Sequence, residues 1–333
     1  MKSGHWAAAT LWFVIALLGL AVTVGISVAY GAKALAYGEV WNAVFRYDPT
    51  LTEHQIVHDI RLPRVLGAAV VGAAFAVAGT VMQGVTRNPM ADTGILGVNA
   101  GASFVVALSF AFLPSLSYEA LIVLSFLGAA LTTVFVMLLG AAAGGIQSMR
   151  LTIAGAVLAA VLQSLSAGIA IYFKLSQDIA FWFAGGVSGI VWEHLQILAP
   201  LVGIATLGAI LMGRPLTFLS LGEESAINLG IRIWRVRIIC LVLAVLLAGS
   251  AVAVAGAISF IGLVAPHVAR WMVGVDYRKR IAMSAVLGAM LLVWADFASR
   301  LVNPPREFAI GAMVAMVGVP FFLYIARRER REL

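Results

Sequence analysis

The chain has 333 residues, 62% hydrophobic and 11% charged, with a mean hydropathy of +1.02 and a net charge of +7. A soluble domain carries about a quarter charged residues, and a transmembrane barrel shows short alternating segments; continuous apolar runs of about 20 residues point to helices crossing a bilayer. The lysines and arginines sit at the ends of these runs, which speaks for membrane orientation rather than nucleic acid, and the one cysteine, Cys240, excludes an internal disulfide or a cysteine metal site.

The apolar pattern predicts ten spans, near 7–30, 62–83, 94–113, 119–143, 150–173, 195–213, 235–256, 258–273, 281–301 and 307–326, in a single transmembrane domain over 1–333. The first run is longer than the apolar core of a signal peptide and is read as a retained span. Residues 31–61 form a polar connection with His54 and His58 at i,i+4 spacing. No third ligand accompanies them, so they are read as solvated loop histidines rather than a metal site. Arg61 and Arg64 flank Pro63 on one face of the second span's first turn.

A tight polar hinge, Thr86 to Thr93, follows that span. Such backbone is costly at membrane depth unless it lies at a surface or lines a watery cavity. Small residues pave 67–79 and 97–103 and permit close helix packing. Packing does not account for Gln83, Asn88, Asn99, Ser103 and Gln163, which are expected to face the bundle interior or a cavity. Residues 174–194, with Trp182 and Trp192, suit an interfacial helix. Residues 214–234 are too polar to cross and read as two short helices split at Gly222, with Glu223 and Glu224 at the second helix's N-terminus. Arg300 closes the ninth span, four residues after Asp296, so an intrahelical pair is one reading of it.

With a cytoplasmic N-terminus and ten spans, 15 of the 22 lysines and arginines fall on the inner side, the expected inside excess. The tetrapeptide Ala76-Val77-Ala78-Gly79 recurs as Ala253-Val254-Ala255-Gly256 in the opposite sense, which suggests an inverted repeat of five spans. No phosphate-binding loop, catalytic triad, zinc motif or mid-span carboxylate pair is present. The chain therefore carries no device for hydrolysing ATP; it is read as the wall of a solute pathway, with the polar hinge at its inner mouth, and not as an enzyme. A stand-alone secondary transporter is the rival class.

Five motifs in order, R-L-P-R, Q-G-V-T-R-N-P-M-A-D-T-G-I-L-G-V-N-A-G-A, L-G-E-E-S-A-I-N-L-G, G-A-I-S-F-I-G-L-V-A-P-H-V-A-R and P-R-E-F-A-I-G-A-M-V-A-M-V-G-V-P-F-F-L-Y, resemble the permease family of ABC importers for iron–siderophore, haem and cobalamin, the FecCD type. The match runs from about Arg61 to Tyr324. The resemblance implies the all-α, ten-helix type II importer fold, multi-pass in a bacterial cell membrane with both termini cytoplasmic. It also implies a second permease subunit, identical or paralogous. Two cytoplasmic ATPase subunits would hold the ATP and Mg, none of it bound by this chain, and an extracytoplasmic binding protein would deliver the cargo.

Carried over to this sequence, Leu221, Gly222, Glu223, Glu224, Ala226 and Gly230 would contact the ATPase, and Arg61, Arg64 and Arg300 would pair with carboxylates of the binding protein. Asn88, Pro89, Met90, Ser148 and Met149, with Asn99, would form the cytoplasmic gate and pathway. Cobalamin members of the family often carry leucine at the position of Met90 and polar residues near Met149, which speaks against cobalamin; the cargo is read as an iron–siderophore complex, with haem or cobalamin as alternatives.

Overall fold

The computed structural model describes residues 2–31, 35–142, 148–302 and 306–329, and among these every regular element is helical. In order they are α1 (Lys2–Ala29), α2 (Tyr37–Phe45), α3 (Thr52–Gln55), α4 (Leu62–Thr86), α5 (Val98–Phe112), α6 (Tyr118–Ala142), α7 (Ser148–Tyr172), α8 (Ser176–Ala184), α9 (Trp192–Leu211), α10 (Gly213–Ser220), α11 (Glu223–Asn228), α12 (Ile233–Ala255), α13 (Ile261–Val273), α14 (Tyr277–Leu301) and α15 (Ile310–Glu329). Seven are long and apolar enough to cross a membrane, and α5, α13 and α15 are shorter apolar helices; together they supply the ten expected spans.

At 1.5 Å per residue, α5 and α13 reach only ~23 and ~20 Å, short of a ~30 Å hydrocarbon core. Each is preceded by non-α backbone: a 3₁₀ turn at Thr93–Leu96 before α5, and an irregular stretch, 256–260, before α13. The predicted break in the long apolar run 235–273 falls at Gly256, whose φ of 74° ends α12.

The core is organised around α4, of which 78% of the apolar window is buried, against 17% for α7 at the periphery. The small residues of α4 make this possible. A Cβ placed on Gly72 would stand 2.3 Å from the Gly288 carbonyl oxygen of α14, and one on Gly79 would stand 2.1 Å from that of Gly262 in α13. The helices thus meet backbone to backbone, as small-residue interfaces in lipid do. The order long helix, break, short helix and two further helices occurs twice, in α4 to α7 and in α12 to α15. The repeated tetrapeptide does not mark equivalent places, however. Gly79 lies two turns inside α4, whereas Gly256 caps α12.

The predicted polar connections are also structured. Residues 31–61 contain α2 and α3, and α3 runs through a π-helical turn, Ile56–Arg61, into α4. His54 is not solvated: it is buried, its Nδ1 accepts the Asp48 amide at 2.9 Å, and its ring stacks on Tyr47. Among the described residues no group of acids, histidines or cysteines could hold a metal ion.

Candidate functional site: the two ends of the bundle

One end of the bundle is stapled by arginines. The last turn of α1 leaves unpaired carbonyl oxygens, as every helix C-terminus does. Arg61 donates to Val28 O at 2.8 Å and Ala29 O at 2.9 Å, and Arg300 donates to the Ser27 hydroxyl at 2.6 Å and Tyr30 O at 3.0 Å. Between them Arg64 spans α4 and α14. Its Nη2 lies 2.7 Å from Asp296 Oδ1, and its Nη1 lies 2.6 Å from Glu307 Oε1. Asp296 is wholly buried and also ion-pairs with Arg300 at 3.1 Å, the intrahelical partner expected from their spacing. The π turn ahead of α4 contributes a further tie, because the His58 carbonyl accepts the Trp192 indole N–H at 2.8 Å.

Sequence spacing predicts that Arg61 and Arg64 share a face, and they do, but that face turns inward. Arg61, Arg64 and Arg300 are all largely enclosed and internally paired, so none stands as an open fork. Glu307 is accessible at this end, about half-exposed on the open edge of Arg64. Sequence reasoning missed Glu307, whose only signal is its place after a double proline in the connection to the last span.

The opposite end carries the α10–α11 hairpin. Buried Leu216 and Leu219 anchor α10, and Thr217 Oγ1 accepts the Tyr277 amide at 3.0 Å. Gly213 packs so closely that a Cβ there would stand 2.5 Å from Arg278. The hairpin is therefore fixed to the start of α14. Its tip is free: Leu221, Ile227 and Leu229 are exposed apolar side chains, and Glu224 faces solvent, while Ala226 is buried under the turn. Gly222 and Gly230 bracket α11 with φ of 130° and 77°, values an L side chain rarely adopts. An exposed apolar tip on a rigid polar stem suits a protein partner.

Glu223 ties this hairpin to two spans. Its Oε1 receives Arg87 Nη2 at 3.1 Å from the end of α4 and Arg237 Nη2 at 2.7 Å from α12. Arg87 ends α4 in the left-handed region, φ 53°, where glycine is the usual residue. The hinge follows directly. Asn88 Oδ1 accepts the Met90 amide at 2.9 Å and shapes the turn at Pro89. The Thr93–Leu96 turn packs against α7, so the hinge and the start of α7 occupy the same end. Met149 is exposed there; the side chain of Ser148 lies outside the described residues. Asn99 Oδ1 is buried in α5 without a hydrogen-bond partner.

Of the other polar residues singled out in the spans, Gln83 and Ser103 face the interior, and Gln163 is exposed on α7. Gln83 donates to Gly262 O at 3.3 Å and accepts from Arg280. Nothing in its sequence position sets Arg280 apart from the other basic residues at the span ends.

The model of the FecCD transport family matches residues 18–328. The chain belongs to the FecCD transport family. This FecCD chain is 46% identical to the iron(3+)-hydroxamate import system permease protein FhuB of Bacillus subtilis (strain 168), over 99% of its own length and 87% of that protein. It is 38% identical to the ferric enterobactin transport system permease protein FepD of Escherichia coli (strain K12), over 95% and 94% of the two chains. A solved chain of a metal-chelate type ABC transporter in an inward-facing conformation superposes with a TM-score of 0.84 at 26% identity, covering 95% of this chain and 98% of that one. The fold expected from the sequence is thereby the fold found.

Proposed function

We propose that this chain is the permease subunit of an ATP-driven importer that carries an iron–siderophore complex across a bacterial cell membrane. The observation that supports the cargo best is the 46% identity, over nearly the whole chain, to an iron(3+)-hydroxamate permease. A second permease subunit, identical or paralogous, would cover the exposed apolar faces of α7 and α15, with the pathway between them. The hairpin end faces the cytoplasm together with both termini, and the hairpin at Leu221, Gly222, Glu223, Glu224, Ala226 and Gly230 seats in one of two ATPase subunits, which carry the ATP and Mg. A binding protein delivers cargo at the arginine end, through Arg61, Arg64 and Arg300. The hinge at Asn88, Pro89 and Met90, with Ser148, Met149 and Asn99, gates the inner mouth. This chain does no covalent chemistry: closure of the ATPase dimer moves the hairpin, and Glu223 passes the motion to α4 and α12.

The test is uptake of ⁵⁵Fe in a strain lacking its own hydroxamate permease, with this chain expressed beside a cognate ATPase and binding protein. Accumulation of hydroxamate-bound iron that stops when either partner is omitted is expected. Uptake of haem but not of iron–hydroxamate would move the cargo assignment. Gradient-driven transport in vesicles holding this chain alone would overturn the class.

A further inference from the structure

Arg280, at the start of α14, is 4% exposed. It donates to Pro266 O at 3.2 Å, to the Tyr277 hydroxyl at 3.1 Å and to Gln83 Oε1. All three acceptors are neutral, and a guanidinium has five N–H donors, so two remain. No carboxylate lies within ion-pair distance of it among the described residues. A buried cation without a counter-charge is expensive. Its neighbourhood offers no relief. Glu223 already serves Arg87 and Arg237, and Asp276 is held by Arg278 at 2.9 Å.

Arg280 lines a cavity of about 260 Å³ at the hairpin end, together with Gln83, Arg87, Ser220, Arg270 and Tyr277. No acid lines it. Arg270, exposed on the last turn of α13, has no partner among the described residues. Three arginines, a serine and a tyrosine thus line one concave space, and of the three guanidiniums Arg87 alone has a carboxylate partner among the described residues, Glu223. We propose that this cavity binds a phosphate-bearing anion, either the headgroup of an anionic phospholipid or free phosphate. Guanidinium forks match phosphate oxygens in geometry and charge. Two exposed apolar side chains beside Arg270, Trp271 and Val275, favour the lipid source, since aromatic residues next to basic ones mark the headgroup level of a bilayer. An occupant here touches α4, α13, α14 and the hairpin at once, and so sets how firmly the hairpin is held. The site does not depend on which cargo is carried.

The experiment uses the purified, delipidated complex with its ATPase, and the permease alone, in neutral detergent. Thermal unfolding and native mass spectrometry are read on titration with phosphatidylglycerol, phosphatidylcholine and inorganic phosphate. Phosphatidylglycerol, or phosphate, raises the unfolding temperature, and phosphatidylcholine does not. Arg270→Gln, an exposed position where folding is not at stake, weakens that binding roughly tenfold, the loss expected of one charge-assisted contact; Arg270→Lys restores part of it. Response to the lipid alone identifies a headgroup, and an equal response to phosphate identifies a free anion. No response to either, or an undiminished response in Arg270→Gln, overturns the proposal. A response confined to the permease alone also overturns it, since an ATPase carboxylate would then hold the seat.

Discussion

Arg64 of α4 and Asp296 of α14 are joined at 2.7 Å where both side chains are closed off from solvent. The pair links two helices that meet backbone to backbone at Gly72 and Gly288. Removing one partner takes a counter-charge from the other, which keeps only Arg300 for Asp296 or Glu307 for Arg64, so the cost falls short of the about 3–5 kcal/mol of a buried charge left wholly unpaired. Arg64→Ala and Asp296→Ala are each expected to lower the unfolding temperature sharply, and the double variant to recover part of the loss. Strictly additive losses in that double-mutant cycle would mean that the two charges do not act on one another.

Glu307 gives the same arginine a second, more accessible partner at 2.6 Å. If a binding protein's carboxylate is to reach Arg64, Glu307 has to leave that edge. Glu307→Gln should therefore tighten the complex between permease and binding protein, roughly two- to fivefold given the modest worth of a half-exposed pair. Surface plasmon resonance on the purified complex would measure it. Unchanged affinity in Glu307→Gln together with unchanged affinity in Arg64→Lys would remove Arg64 from the docking surface.

At the other end, Glu223 is the carboxylate shared by α4 and α12 through Arg87 and Arg237. Replacing Glu223 and Glu224 together by arginine puts like charges against both helices and reverses the hairpin tip. Iron uptake should fall to background while membrane insertion stays normal by protease protection. Normal uptake would show that the hairpin does not transmit the stroke.

Much of this architecture was legible in the chain because lipid leaves few choices. A span must be apolar for about 20 residues, and a polar break must sit at an end or line a cavity. Hence the ten spans, the split at Gly222 and the hinge after Thr86 could be read directly. Side-chain direction at the ends could not. The spacing of Arg61 and Arg64 defines a shared face but not what that face meets, and their acceptors lie at Val28, Ala29 and Asp296, far off in sequence. The same holds for Arg280, which looks like an ordinary flanking charge until Gln83 and Pro266 are brought to it. His54 departs from the solvated position its polar surroundings predict for a related reason: that connection folds into α2 and α3 and encloses the ring.

Asp92 supplies a pH-dependent test. It lies in the connection between α4 and α5, packed so near the α4–α13 crossing that a Cβ on Gly262 would stand 2.6 Å from its Oδ1. Burial raises its carboxyl above the usual carboxylate range, a shift that hydrogen bonds from Thr93 only partly oppose. The folded chain therefore holds this proton more tightly than the unfolded chain. Asp92 costs no stability below the ordinary carboxylate range. The cost grows as pH rises through that range and is complete above the folded-state value. Asp92→Asn keeps the shape and removes the titration, so it should raise the unfolding temperature at pH 7.5 and do so much less at pH 4, where the cost has only begun. A variant less stable than the parent at pH 7.5 would mean that the ionised carboxylate is held by a cation in the assembled transporter, and the hinge would then be an ionic contact rather than a packed one.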